Sequence, residues 1–317
     1  MKNRIVEFIE DDNLRIKLEN IIRKVGAEFE PGNEGDTLTG FRHFEAVALN
    51  LATLLVETGR VTEKSDTELF LLGASAYLHD LLKPSSAWGP LSHGGKVMKA
   101  LLDRFDLYGL DHRGEAIPIG FISAAHSRRS LDNTEWGRVR EDFATGSGAV
   151  INLRELAAIF LLADSLDTTT QRAPEMMKHI HYPEGFTDEE AEGKWTARQA
   201  ITGWCVKGGK IVLQAYPQNF AEQEAVRRAK TLMEKDLSEI KPTLLSLKFP
   251  CELELEIEDT LLKPKAVASI HEATPFKGMD YYDESDQRLF MGRKTDLERV
   301  EGYIAAYPIT GIVPLIS

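Results

Sequence analysis

Cysteine is nearly missing from this chain of 317 residues. Cys205 and Cys251 stand alone with no Cys-x-x-Cys spacing, which argues against both a disulfide framework and a thiolate zinc site. Long apolar runs are missing too, since no uninterrupted stretch approaches the ~20 residues that span a bilayer. The opening MKNRIVEFIEDDNLRIKLEN carries acids too early for a secretory signal, so the sequence predicts a cytoplasmic protein with no membrane partner. Positive charge is in deficit: 38 basic against 50 acidic residues give a formal net charge of −12. Such a field repels polyanions and disfavours nucleic acid as a partner. It still permits a small phosphorylated substrate, because a bound divalent metal reverses the local potential. Gly94-Gly95 and Gly208-Gly209 are too short to cradle phosphates and match no Walker or dinucleotide fingerprint. Internal repeats and low-complexity tracts are also missing. What remains, 43% hydrophobic and 28% charged, is the composition of a globular protein long enough for two domains.

The first half has the period of helices. Val47, Ala48, Leu51, Leu54 and Leu55 recur at three- and four-residue steps after Phe44, one apolar face of an amphipathic helix. Glu68 to Leu82 (ELFLLGASAYLHDLL) is apolar nearly all round, which predicts a central helix buried on several sides and ended by Lys83-Pro84. A third helix begins with Ser92 as N-cap and runs through Val97, Leu101 and Leu102. A fourth covers Ile117 to His126, with Pro118 in its first turn, and a fifth Leu153 to Asp167. No strand is expected before residue 200. Residues 1–175 therefore read as an all-α domain with its core at 40–172, and residues 176–317 as a smaller α+β accessory unit. That second part opens with an exposed acidic loop, Tyr182 to Lys194. A hairpin turning at Gly208-Gly209 follows, then a helix capped by Asn219 with Glu222. Next comes a strand in which Cys251, Leu253, Leu255 and Ile257 alternate with four glutamates, and the run KAVASI is placed to pair with it.

Histidine placement carries the chemistry. A buried imidazole must satisfy both ring nitrogens, and metal ligation is one way besides a backbone carbonyl. The adjacent pair His79-Asp80 ends the most apolar helix, where an aspartate is costly to bury without a cation or donor. Asp164 repeats the anomaly within IFLLADSLD. Two buried carboxylates and several imidazoles in one small helical domain share an explanation in a mixed nitrogen and oxygen site for a divalent ion.

His43, then His79-Asp80, then Asp164 resembles the H…HD…D signature of the HD superfamily of metal-dependent phosphohydrolases, with RHFEAVALNLA and YLHDLLK as local context. SHGGKVMKALL and AAHSRRS resemble the segments that add two histidines, His93 and His126, in the two-metal subtype. The resemblance implies an HD-type helical bundle holding one or two divalent ions (Fe, Mn, Ni, Co, Mg or Zn). His43, His79, Asp80 and Asp164 would hold one ion, His93 and His126 would join Asp80 on the second, and Asp80 would bridge. It further implies cleavage of a phosphoester or phosphoanhydride bond of a nucleotide or similar small molecule by metal-activated hydroxide. The glycine-tyrosine-proline run of members acting on cyclic dinucleotides does not follow His126, which disfavours cyclic di-GMP. Six-ligand HD arrangements also serve oxygenases, so a dimetal oxygenase and a non-catalytic nucleotide-sensing module stand as alternatives.

Lys83, Arg128, Arg129 and Arg172 are the candidate phosphate-binding residues, arginine offering paired planar donors and lysine a mobile charge. Lys83 and Arg172, with Asp80, are assigned to catalysis. His112, in a predicted loop, and the His179-x-His181 pair read as solvated features, and Trp195 and Trp204 as core or interface packing. The accessory unit could cover the mouth of the site or form a homodimer.

Overall fold

The helix that the sequence buries on every side organises the bundle. A computed structural model of the chain describes residues 5–28, 41–82, 92–146, 148–169 and 189–258. Within them, helix α3 (Asp66–Leu78) has every residue from Leu69 to Leu78 buried. Such a helix needs partners all round, and α1 (Asp12–Glu28), α2 (Phe41–Glu57), α5 (Arg113–Arg128) and α6 (Leu153–Ser165) supply them. Helix α4 (His93–Asp103) packs along α5.

Local sequence sets most of the ends. Ser65 and Glu68 close a capping box at the start of α3, Ser92 Oγ accepts from Gly95 N–H at the start of α4, and Asn152 caps α6. Several boundaries and elements differ from expectation. Helix α3 stops at Leu78 rather than Leu82, with His79 as its C-cap, so Asp80 leaves the helix and is free to turn inward. Helix α5 starts at Arg113, placing Pro118 one turn inside, where it forgoes one intrahelical hydrogen bond. The acidic segment expected as a loop is helical from Glu189, in α7 (Glu189–Ala200), because it buries Trp195 completely. Helix α1 escaped the reading because Leu18, Ile21 and Val25, all buried, are diluted by charged neighbours. A short antiparallel pair, β1 (Phe143–Ala144) with β2 (Val150–Ile151), also went unforeseen.

The hairpin forms as expected. β3 (Ile201–Lys207) and β4 (Lys210–Ala215) are antiparallel and turn at Gly208 (φ 60°) and Gly209 (φ 76°), left-handed conformations that favour glycine. Helix α8 (Phe220–Ser238), with Asn219 as its cap, and α9 (Lys241–Ser246) then lead to β5 (Leu253–Ile257), which lies parallel to β4 at the sheet edge. Glu254 and Glu256 on its exposed face pair with Lys210 and Lys207.

The protein is mostly helical with a small sheet towards its C-terminal part. Ile211, Leu213, Leu237, Leu244 and Leu253 belong to the same hydrophobic core as α2, α3 and α6. The first compact unit runs Met1–Leu262, past the change of texture at 175/176. The second unit, Lys263–Ser317, and with it the KAVASI run, lies outside the described residues. Among the described residues no helix is long and apolar enough to cross a membrane.

Candidate metal centre

Helix ends converge on one buried point. His43 stands in the first turn of α2, His79 caps α3 with Asp80 next in sequence, and His93 opens α4. His126 stands in the last turn of α5 and Asp164 in the last turn of α6. Five of the six are buried (His43, His79, Asp80, His126 and Asp164), while the His93 side chain keeps 29% of its surface exposed. Ligand atoms from His43, His79 and Asp80, from His79, His126 and Asp164, and from Asp80, His93 and His126 each lie within 4.8 Å of one another.

Asp80 divides the cluster. Its Oδ2 lies 3.7 Å from both His43 Nε2 and His79 Nε2, on the side where Asp164 Oδ1 stands 3.5 Å from His43 Nε2. Its Oδ1 lies 3.2 Å from His93 Nε2 and 3.3 Å from His126 Nε2. One carboxylate thus faces two separate pairs of imidazole nitrogens with different oxygens.

The far edges of the rings fix which nitrogens are free to ligate. His79 Nδ1 donates to the Ala76 carbonyl at 3.1 Å, and His43 Nδ1 donates to Asp167 Oδ2 at 2.5 Å. Both Nε2 atoms then present lone pairs, only 3.1 Å apart. Two lone pairs that close need a shared cation, either a proton or a metal ion. Ligands ~2.0–2.1 Å from one ion are separated by about 2.9 Å at a right angle and about 3.4 Å at a tetrahedral angle, which brackets the observed gap. His93 Nε2, buried without a hydrogen bond of its own, points the same way on the other side. The donor set of imidazoles and carboxylates fits a divalent ion of borderline hardness.

The charge balance agrees. Burial pushes His79 down to about 3, so it is a neutral donor near pH 7. Burial also pushes Asp80 and Asp164 upward, but the facing groups outweigh it, the His79 and His126 rings at Asp80 and the His126 ring with the Arg129 guanidinium at Asp164. Both carboxyls stay well below the usual range and remain charged. Burial lowers His126, yet the carboxylates of Asp164 and Asp80 outweigh it and raise the group. Phe44 and Phe160 pack edge-on against His79, with ring centroids at 5.6 and 5.2 Å, and keep that side dry.

Close helix contact completes the arrangement. A Cβ at Gly94 would fall 1.9 Å from the Ser123 carbonyl oxygen, so only glycine lets α4 approach α5 this closely. Gly94 N–H donates to Ser127 Oγ at 2.6 Å, and the His93 and His126 rings come to 5.2 Å.

A family model described as HD-CE matches residues 91–246. Over that span the chain is similar to an HD-type domain. The matched span includes His93, His126 and Asp164, while His43 and His79-Asp80 precede it, and it extends through β3, β4 and α8. No curated protein and no solved structure matched the chain.

Around this cluster the basic candidates separate. Arg129 Nη1 donates to Asp164 Oδ2 at 2.9 Å and to Ser165 Oγ at 3.2 Å, with Asp236 of α8 3.9 Å from its Nε. Its backbone is left-handed (φ 51°) at the C-cap of α5. Arg128, one residue earlier, is half-exposed and donates to Glu135 at 2.7 Å. Lys83, Arg172, His179 and His181 lie outside the described residues. His112 occupies the N-cap position of α5 without a side-chain capping bond and remains half-exposed beside Glu115. Trp204 donates to Asn50 Oδ1 at 3.0 Å, and Asn50 Nδ2 donates to the Ala163 carbonyl at 2.9 Å, which ties β3 to the helix carrying Asp164. Sequence reasoning missed Asp167 and Asn50. An acid three residues after Asp164, in an apolar helix end, was the available signal for Asp167; nothing local marked Asn50.

Proposed function

We propose that this protein is a metal-dependent phosphohydrolase. Its substrate would be a phosphoester or phosphoanhydride bond of a nucleotide or similar small phosphorylated molecule. The observation that carries this reading is the divided carboxylate of Asp80, with a separate pair of imidazole nitrogens facing each of its oxygens. His43, His79, Asp80 and Asp164 would hold one divalent ion, and Asp80, His93 and His126 a second. Ions so placed supply Lewis acidity and acidify water near neutral pH.

The protein's own groups supply the rest. Phe44 and Phe160 shield His79 from water, which strengthens every charge interaction nearby. Arg129, 34% exposed and held by Asp164, presents a fixed cation at the rim, suited to the oxygens of a phosphoryl group. Lys83 and Arg172 are assigned to the same charge by their positions in the sequence. Neutralisation by these three would offset the chain's net −12 where an anion must approach.

The test is metal analysis of the purified protein, followed by a phosphate-release screen over nucleotides, dinucleotides and cyclic nucleotides. Metal-dependent release is expected, with kcat/KM lowered by Lys83→Ala, Arg129→Ala and Arg172→Ala. Oxygen consumption coupled to turnover without phosphate release would replace this reading with a dimetal oxygenase. Nucleotide binding without turnover over the whole panel would replace it with a sensor.

A further inference from the structure

His43 is held from both edges of its ring. Nε2 faces His79 Nε2 at 3.1 Å, Asp164 Oδ1 at 3.5 Å and Asp80 Oδ2 at 3.7 Å. Nδ1, on the opposite edge, lies 2.5 Å from Asp167 Oδ2. Asp167 stands just beyond α6, buried, with its backbone N–H donating to the Asp164 carbonyl at 3.1 Å. Asp164 and Asp167 therefore share one turn yet meet His43 from opposite sides, one among the prospective ligands and the other behind them. A carboxylate accepts and does not donate, so Asp167 fixes the proton on Nδ1 and turns the Nε2 lone pair inward.

The other side of Asp80 is built differently. His126 Nδ1 faces Asp164 Oδ2 at 3.0 Å, an oxygen that also accepts from Arg129, so its orienting carboxylate belongs to a residue already engaged with His43. The His93 side chain is 29% exposed, against 1% for His43 and 0% for His79. Two ligand sets with the same chemistry thus differ in rigidity and in access to solvent.

We propose that Asp167 is a positioning residue that pre-orients His43 and makes the His43–His79–Asp164 side of Asp80 the tight metal position. The His93–His126 side is then the weaker, exchangeable position and the one that incoming substrate reaches. The proposal rests on the metal-centre reading above and adds to it an order of occupancy and a residue that sets it.

Titration of the full chain, stripped by chelator, with Co²⁺ tests this through visible absorption and calorimetry. The wild type should load in two steps, the first tighter. His93→Ala should remove the second step and spare the first. Asp167→Ala should weaken the first step by about 10–100-fold and leave the second unchanged. Asp167→Asn, whose side-chain oxygen still accepts from Nδ1–H, should recover most of that loss and restore the wild-type absorption band. An unchanged first step in Asp167→Ala would overturn the role of Asp167. Equal weakening of both steps in Asp167→Ala and Asp167→Asn, with lowered melting of both, would do the same by assigning Asp167 to the fold. A wild type that loads both ions with equal affinity would overturn the asymmetry while the metal centre stands. A wild type that takes up no Co²⁺ would overturn the metal centre and this proposal together.

Discussion

The two sides of Asp80 use the same kinds of donor and differ in what lies behind them. On one side, His43 and His79 are fully enclosed, each ring tied by its far nitrogen to a fixed acceptor, Asp167 or the Ala76 carbonyl. On the other, His93 is partly open, and its approach to His126 depends on bare backbone contact between α4 and α5 at Gly94. The enclosed side is a product of core packing, since α2, α3 and α6 would meet there whatever their polar residues did. The open side is a product of one helix contact. A dry, anchored site favours permanent occupancy and a wetter one exchange, so one centre can combine retention of an ion with access for substrate.

Removing the divider should have the largest effect. Asp80→Ala deletes an oxygen from both sides at once, and phosphate release should fall to background with no measurable Co²⁺ uptake at either position. Retention of one full equivalent would show that one side stands without Asp80.

Acid should have the next largest effect. His79 has its ordinary value of 6.5 in the unfolded chain and about 3 when buried, so its contribution to stability is complete above 6.5 and declines as pH falls through that window. Asp80 and Asp164, held below their ordinary 3.8, add a further loss as pH drops through their own range. His126 works in the opposite sense: raised from 6.5, its contribution is full below that value and fades as pH rises through its folded range. Metal-free protein should therefore melt at a lower temperature at pH 4 than at pH 7. His79→Gln should flatten the limb between pH 6.5 and 4, as thermal melts across that range would reveal.

Smaller changes separate the sides. Gly94→Ala forces α4 away from α5 and should cost about 1–3 kcal/mol, the usual penalty of overpacking. Its Co²⁺ titration should lose the weaker step while keeping the tighter one. Trp204→Phe leaves Asn50 Oδ1 without its indole donor and should cost about 1–2 kcal/mol, read from denaturant melts, with both Co²⁺ steps intact. Loss of either step in that variant would mean that the sheet governs the centre through Asn50 and Ala163.

Legibility followed locality. Helices α2 to α6, the hairpin at Gly208-Gly209 and the edge strand of alternating glutamates were all readable, because period, caps and turn residues act over a few positions. Helix α1 was obscured by its charged face, and α7 by an acidic stretch that looks solvated until Trp195 is seen in the core. Of the six prospective ligands, His79, Asp80 and Asp164 were legible as misfits in apolar helices, and His43, His93 and His126 through the resemblance; the structure brings all six together. Arg128 and Arg129 looked equivalent in sequence. One residue of helical rotation, with a left-handed backbone at Arg129, sends the first to Glu135 and the second to Asp164.

The sequence by itself determined that this chain would be a helical bundle with a small sheet, and that imidazoles and carboxylates would be buried in it. Burial is an average property of each helix, written in its own apolar periodicity. Tertiary structure alone decided which oxygen of Asp80 faces which nitrogen pair, and that Asp167 stands behind His43 from 124 positions away. It also decided that the sheet shares the bundle's core. Those outcomes depend on how helix ends far apart in sequence are angled against one another, and no local pattern encodes an angle.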